Sequence, residues 1–439
     1  MKIDPASLKI TDMRFADIDG APKRCTLLKL YTNQGIVGYG EVRDASSRTY
    51  AAMLKSRIIG ENPCNAEKIF RRIRQFGGDS RQAGGVCAIE VACWDIAGNA
   101  WGVPVWQLLG GRYRDRIRCY CDTDSEGGGR DMGEALKERM ARGFTFLKMD
   151  LGIELLMDVP GALCAPLGFL ETMKEYKHVF KTPHGSINPA AMRGAAYDLF
   201  DTAHPFTGIH ITEKGLDYLE GYMRECRQTV GYEVPLAIDH LGHIPVEDCI
   251  RLARRLEKYN LSWMEDAVPW QMTGQWVHLH NSTTVPLGTG EDIYLKENFE
   301  PLMKAGGVSL IHPDVLTTGG MLETKKIGDM AYDYGVAVAL HMAESPIGAM
   351  AAVHVGAALP QLMCMEYHSV DVPYWQDVVN GLPRPLIDHG FITVPDAPGL
   401  GIESLNEELI EKLVCKNIPG VWEPTDNWDN DICNDRLWS

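Results

Sequence analysis

Between Asp239 and Glu366, six short apolar runs each close on an acidic or imidazole side chain: Asp239, Glu265, Glu291, Asp314, His341 and Glu366. The intervals between them are 26, 26, 23, 27 and 25 residues. The runs Val234–Ile238, Leu261–Met264, Val285–Leu287, Val308–Ile311, Val336–Leu340 and Leu362–Met365 read as buried strands, and stretches with helical periodicity separate them. A strand, a helix and two loops occupy about this length in a (β/α) barrel, where the C-terminal ends of the strands form the catalytic face. The polar groups are therefore expected around one barrel mouth, an arrangement suited to metal-assisted acid–base chemistry.

The chain has 439 residues, which suits a barrel of about 250 residues plus a second unit. Residues 1–115 read as an α+β domain. Its antiparallel strands are expected at Leu8–Arg14, Thr26–Thr32 and Gly35–Glu41, and a helix at Val86–Leu109, where Val86, Ile89, Cys93, Ile96, Ala97 and Ala100 share one face. The barrel is placed at 116–385, with Ile117–Cys121 and Phe144–Asp150 as its first two strands and amphipathic helices at Val246–Tyr259 and Met321–Tyr334. An insertion at about 151–211 carries His178, His184, Asn188, Arg193, Tyr197, His204 and His210, and reads as a lid over the mouth or a contact between subunits. The remaining segment, 386–439, holds a strand and a helix within Phe391–Leu413, and its Trp-rich tail is expected to pack back on the first domain.

A net charge of −16 argues against nucleic acid or an anionic membrane as partner. No run of 18 apolar residues is present, and the N-terminus shows no apolar core behind a basic stretch. The twelve cysteines are scattered rather than spaced as a disulfide framework, so reduced thiols and a cytoplasmic setting are expected.

Asp239, Glu265 and Glu291 on consecutive strands supply the all-oxygen donors that Mg²⁺ prefers, one ion per subunit. With no Cys or His in the set, zinc is disfavoured. Strand alternation turns the neighbours Asp266 and Asp292 away, to cap helices or support the ligands. The bland alternative is that acids at strand ends simply cap the following helices. His341 follows its strand and has Asp314 one strand earlier, the pairing that orients an imidazole as general base. Lys148 and Asp150 share one face of strand two. Lys148 can stabilise an enolate or bind a carboxylate, and Asp150 can act as a weak base or as the lysine's partner; a structural ion pair is the competing reading. Glu366 can hydrogen-bond a substrate carboxylate if it stays protonated.

Metal plus base suits removal of the weakly acidic proton beside a carboxylate, because the enediolate formed needs a cation. Loss of a β-hydroxyl then gives a 2-keto-3-deoxy acid. Reprotonation from the opposite face gives an epimer instead.

These residues justify a resemblance. Gly35-Ile36-Val37-Gly38-Tyr39-Gly40-Glu41, Ala88-Ile89-Glu90-Val91-Ala92-Cys93-Trp94-Asp95-Ile96-Ala97-Gly98, Glu265-Asp266, Gly290-Glu291, His312-Pro313-Asp314 with Gly319-Gly320, His341, and Pro398-Gly399-Leu400-Gly401-Ile402-Glu403 make the chain resemble the enolase superfamily, in its mandelate racemase subgroup. The resemblance implies an N-terminal α+β capping domain over a modified TIM barrel, (β/α)7β. It implies Mg²⁺ on Asp239, Glu265 and Glu291, the Asp314–His341 pair as base, and Glu366 near the substrate. A homo-oligomeric, Mg²⁺-dependent sugar-acid dehydratase is the expected activity, with a small carboxylate as substrate; an epimerase, racemase or cycloisomerase using the same enolate is the runner-up.

Two departures bear on this. Asp150 stands where such proteins often have a second strand-two lysine, which weakens a two-base racemase. Leu241 stands where the mannonate and galactonate dehydratases carry a histidine; His240 and His243 flank it, and His240 is a candidate substrate contact. The muconate-lactonizing branch carries a strand-six lysine where this chain has Asp314. Cap loops near Ala16–Gly20 and Val42–Arg48 are expected to set specificity, with Arg43 and Arg48 pairing substrate groups or lying in surface ion pairs. A catalytically dead binding barrel and an amidohydrolase are rivals of other classes. The latter needs His-x-His after strand one, where Cys119-Tyr120-Cys121 stands.

Overall fold

In the computed structural model the apolar runs become the staves of a closed barrel. The structure describes residues 3–20, 23–44, 46–166, 170, 208–239, 242, 244–416, 418 and 420–431. Eight barrel strands follow in chain order: Arg116–Cys121, Leu147–Asp150, Leu236–Asp239, Met264–Glu265, Leu287–Thr289, Leu310–Ile311, Ala337–Leu340 and Leu362–Tyr367. Each pairs in parallel with the next. Strand eight closes on strand one, with Glu366 opposite Tyr120. Helices Gly129–Ala141, Glu213–Val230, Val246–Leu256, Thr273–His280, Lys296–Lys304, Met321–Asp333 and Pro346–Ala357 fill the intervals, which is the (β/α)7β order. Among the described residues no helix is long and apolar enough to cross a membrane.

Several staves begin later than the apolar pattern suggests. Strands three and five start at Leu236 and Leu287 instead of Val234 and Val285, because Pro235 and Pro286 have no N–H to give the ladder. Their carbonyls still accept, from Leu147 and Met264. The first-domain helix also ends early. It spans Gly84–Trp101 rather than reaching Leu109; Gly102 at φ 70° terminates it, and Val105–Leu108 forms a separate turn after Pro104.

Alternation along the staves builds the barrel interior in layers. Tyr120, Phe146, Ala237, Trp263, Leu310, Ala339 and Cys364 form a buried apolar plug. Two residues further along the same inward faces come Asp122, Lys148, Asp239, Glu265, His312, His341 and Glu366. The plug is thus a floor, and the polar groups stand on it.

The first domain is a three-stranded antiparallel sheet, Ile10–Ile18, Cys25–Thr32 and Val37–Val42, covered by the helix Gly84–Trp101. The helix lies so close that a Cβ at Gly38 or Gly40 would overlap the carbonyl oxygens of Ala92 or Ala88. Close packing is therefore the physical content of the Gly38-Tyr39-Gly40 stretch. The domain is fastened to the barrel by carboxylates. Glu41 accepts from Ser345 N at 3.0 Å, Ser345 Oγ at 2.6 Å and Gly348 N at 3.0 Å, at the start of helix Pro346–Ala357. Glu90 accepts from Met321 N at 2.7 Å and Leu322 N at 3.1 Å, at the start of helix Met321–Asp333. Asp95 accepts from Tyr39 N and Leu400 N. Helix N-termini favour such anions. The chain's last described stretch returns to this sheet: Trp422 N donates to Phe15 O, Thr425 Oγ1 to Met13 O, and Lys55 pairs Asp429 at 2.6 Å.

Candidate active site

Lys148 is the hub of one side of the mouth. Its side chain is buried, and Nζ lies 2.6 Å from Asp239 Oδ2, 3.2 Å from Glu265 Oε2 and 2.8 Å from Glu366 Oε1. Burial opposes its charge, but the three carboxylates outweigh that and hold the ammonium well above the ordinary lysine value. From the plug below, Trp263 Nε1 donates to Glu265 Oε2 at 2.8 Å. His312 is buried beside it, its Nε2 3.6 Å from Glu265 Oε2 and its Nδ1 3.1 Å from Ala339 O. Burial and the nearby Lys148 push His312 down to about 4, so it is neutral.

The other side is an Asp–His pair. Asp314 Oδ2 lies 2.6 Å from His341 Nδ1, across neighbouring strands six and seven. The opposite nitrogen, Nε2, faces the mouth, 2.9 Å from Glu291 Oε2 and 3.6 Å from Glu366 Oε2. Burial works against the imidazolium, yet Glu291, Glu366 and Asp314 raise His341 well above its usual value, with Arg43 opposing them.

Four placements differ from what the sequence suggested. Glu291 does not sit with the other two expected ligands but against His341; burial raises its carboxyl, and His341 and Arg43 more than reverse that. Asp266, expected to turn away, offers an oxygen within 4.8 Å of those of Asp239 and Glu265. The backbone at Asp266 leaves the strand at φ 48°, so alternation no longer governs its direction. Glu366 is not kept protonated: burial would raise it, but Lys148, His341 and His368 hold it well below the usual carboxylate range. Arg43 is not a surface residue. It is 1% exposed, with Nη1 2.9 Å from Asp314 Oδ2 and 2.6 Å from Thr317 Oγ1, and Nε 2.8 Å from Asp44 and 3.4 Å from Glu344. Its guanidinium holds Asp314 ionised against the cost of burial. Arg48 pairs Asp17 within its own domain.

Asp150 lies opposite Asp239 in register, and its carboxylate has oxygens within 4.8 Å of those of Asp122 and Asp124. His240, His243 and most of the 151–211 insertion lie outside the described residues. Glu344, which the sequence reading passed over, is buried between Asp314 and Arg43, and burial and then Asp314 raise it well above normal. Its signal is weak, one acid in the loop after strand seven. His368 was also missed, although it continues the inward face two residues beyond Glu366.

An all-oxygen cluster of this kind suits a hard divalent cation. One observation supports the fit: Glu265 Oε1 is buried and has no hydrogen bond among the described residues. Burial and the charges of Asp239 and its neighbours also raise Glu265, and burial with Glu291 and Asp239 raises Asp266 to about 8. The cluster is short of positive charge.

Comparison with known proteins adds an independent line. Residues 131–408 match the family model described as enolase C-terminal domain-like, and residues 14–110 match that of the mandelate racemase / muconate lactonizing enzyme N-terminal domain. The chain is 30% identical over 400 residues to a D-xylonate dehydratase of Haloferax volcanii, covering 90% of this chain and 86% of that one. It is 27% identical over 402 residues to a D-galactonate dehydratase of Ralstonia pickettii, covering 89% and 91%. Among solved structures, a mandelate racemase/muconate lactonizing enzyme-like protein from Rubrobacter xylanophilus superposes with a TM-score of 0.76 at 26% identity, over 94% of this chain and 99% of its own.

Proposed function

We propose a dehydration for this chain from one premise: it belongs to the mandelate racemase / muconate lactonizing enzyme family of the enolase superfamily. As a hydro-lyase, it removes water from a sugar acid of the aldonate or aldarate class and gives a 2-keto-3-deoxy acid. The relatives named as D-xylonate and D-galactonate dehydratases support that substrate class.

The observation that carries the reading is the orientation of His341. Asp314 at 2.6 Å fixes Nδ1 and leaves Nε2 aimed at the mouth, opposite the Lys148-centred carboxylates. With the imidazole neutral, that nitrogen takes the proton next to the substrate carboxylate. Arg43 keeps Asp314 ionised, so the imidazole stays in one tautomer. Lys148 carries a permanent positive charge where negative charge grows, and a preformed charge in a buried site is effective there. Asp239 and Glu265 would hold Mg²⁺, with Asp266 close enough to assist, and Glu291 would join them on leaving His341. A divalent ion held there supplies a Lewis acid for the substrate carboxylate. Glu366, ionised between Lys148 and His341, orients both of them.

The test is a set of pentonic, hexonic and aldaric acids offered to the protein with Mg²⁺, with 2-keto product trapped by semicarbazide and counted. The reading expects product from at least one acid and none after treatment with EDTA. Epimers without 2-keto product would replace it with an epimerase, and product formation indifferent to EDTA would remove the ion from the account.

A further inference from the structure

Elimination needs two proton transfers. His341 accounts for the first; the departing β-hydroxyl needs a proton for the second. Among the described groups around His341, Lys148 is occupied by three carboxylates, and Tyr120 belongs to the plug below. His368 is different. It stands on strand eight's inward face beyond Glu366 and is partly exposed, with 16% of its side chain open, whereas His341 shows 4%. The two imidazole centroids are 5.9 Å apart.

His368, like His341, has an aspartate on its Nδ1 side, but at a longer distance. Its Nδ1 lies 3.5 Å from Asp122 Oδ2, a carboxylate just past the neighbouring strand one, as Asp314 lies past the strand beside His341. Its Nε2 lies 3.2 Å from Glu366 Oε1 and has no hydrogen bond of proper geometry among the described residues. Glu366 therefore stands between two imidazoles, each with an aspartate on its Nδ1 side, and His368 Nε2 is buried against Glu366.

We propose that His368, oriented by Asp122, is the general acid that protonates the leaving hydroxyl. This rests on the dehydratase reading above. In the step, the Cα–H electron pair becomes the Cα=Cβ bond and the proton rests on His341. The Cβ–O bond breaks toward oxygen, and the proton on His368 Nε2 completes the water that leaves. The resulting enol takes the ketone form, no electron is gained or lost, and His341 and His368 return to their starting states by exchange with solvent.

The test uses His368→Asn in the full chain with Mg²⁺, on whichever sugar acid the wild type dehydrates. Dehydration should fall by about 10²–10⁴-fold. Exchange of the α-hydrogen with solvent deuterium should persist, because His341 is untouched. A 3-deoxy-3-fluoro analogue of the same acid should recover most of the lost rate, since fluoride departs without needing a proton. Asp122→Asn should show the same pattern more mildly. Loss of exchange and elimination together, or a fluoro analogue as slow as the natural acid, would overturn the assignment and leave His368 as a support for Glu366. If the wild type yields no 2-keto product from any acid but still exchanges α-deuterium, the dehydratase reading itself has failed, and the general-acid role falls with it.

Discussion

Glu90 makes the attachment between the two domains sensitive to pH. Its carboxylate is buried, accepts two backbone N–H groups at the start of helix Met321–Asp333, and takes a third bond from Trp94 Nε1 at 2.6 Å. Burial raises its pKa from 4.5 to about 7 despite those bonds. A folded-state value above the unfolded one means that the native chain holds more protons between the two values. Stability from Glu90 is then complete below pH 4.5 and is lost as pH rises through 7. Carrying that rise through the linkage, the loss between pH 5 and pH 8 comes to roughly 2–3 kcal/mol. Glu90→Gln keeps an oxygen for the helix N–H groups and removes the titration. Urea unfolding of both proteins at pH 5 and pH 8 measures the effect. The wild type should lose roughly 2–3 kcal/mol relative to the variant over that range. Parallel pH profiles for the two proteins would refute the argument that this carboxylate is neutral in the fold at low pH.

Other consequences follow from the same geometry. Asp314→Asn should lower turnover by about 10²–10⁴-fold with the fold intact, checked by steady-state rates beside circular dichroism, because His341 loses the partner that fixes its tautomer. Arg43→Met leaves Asp314, Asp44 and Glu344 buried without their shared cation and should cost roughly 3–5 kcal/mol in urea unfolding. Glu291→Gln should weaken Mg²⁺ binding in calorimetry more than Asp266→Asn does; the reverse order would place Asp266 in the ligand set. Adding Mg²⁺ should lower the pKa of His341 by about one unit or more in an NMR titration, since Glu291 at 2.9 Å is among the groups that raise it.

Much of this was legible from residue spacing because barrels are periodic. The recurrence from Asp239 to Glu366 located the mouth, and inward alternation identified Lys148 and the Asp314–His341 pair, since each lies inside a stave or at its end. What escaped lies where the backbone stops obeying the period of two. Asp266 leaves its strand through a positive φ, so a pattern rule sent it the wrong way. Arg43 was misplaced because its destination, Asp314, is 271 residues away in the chain, and pairing across domains leaves no trace in local composition. The charge of Glu366 was not legible for a related reason: Lys148, His341 and His368 come from three strands, and only the closed barrel brings them to one carboxylate. His368 was visible in principle, one further step along strand eight, but nothing in the sequence shows that Asp122 would stand beside it.

The account depends most on His341 as the group that removes the α-proton, with the ion held by carboxylates and not by the imidazole. His341→Asn should be incubated with Mg²⁺ and a competent sugar acid in D₂O, with α-deuterium followed by NMR and Mg²⁺ binding by calorimetry. The account predicts Mg²⁺ binding at least as tight as in the wild type and no deuterium at the α-carbon. Deuterium appearing at the wild-type rate would contradict it.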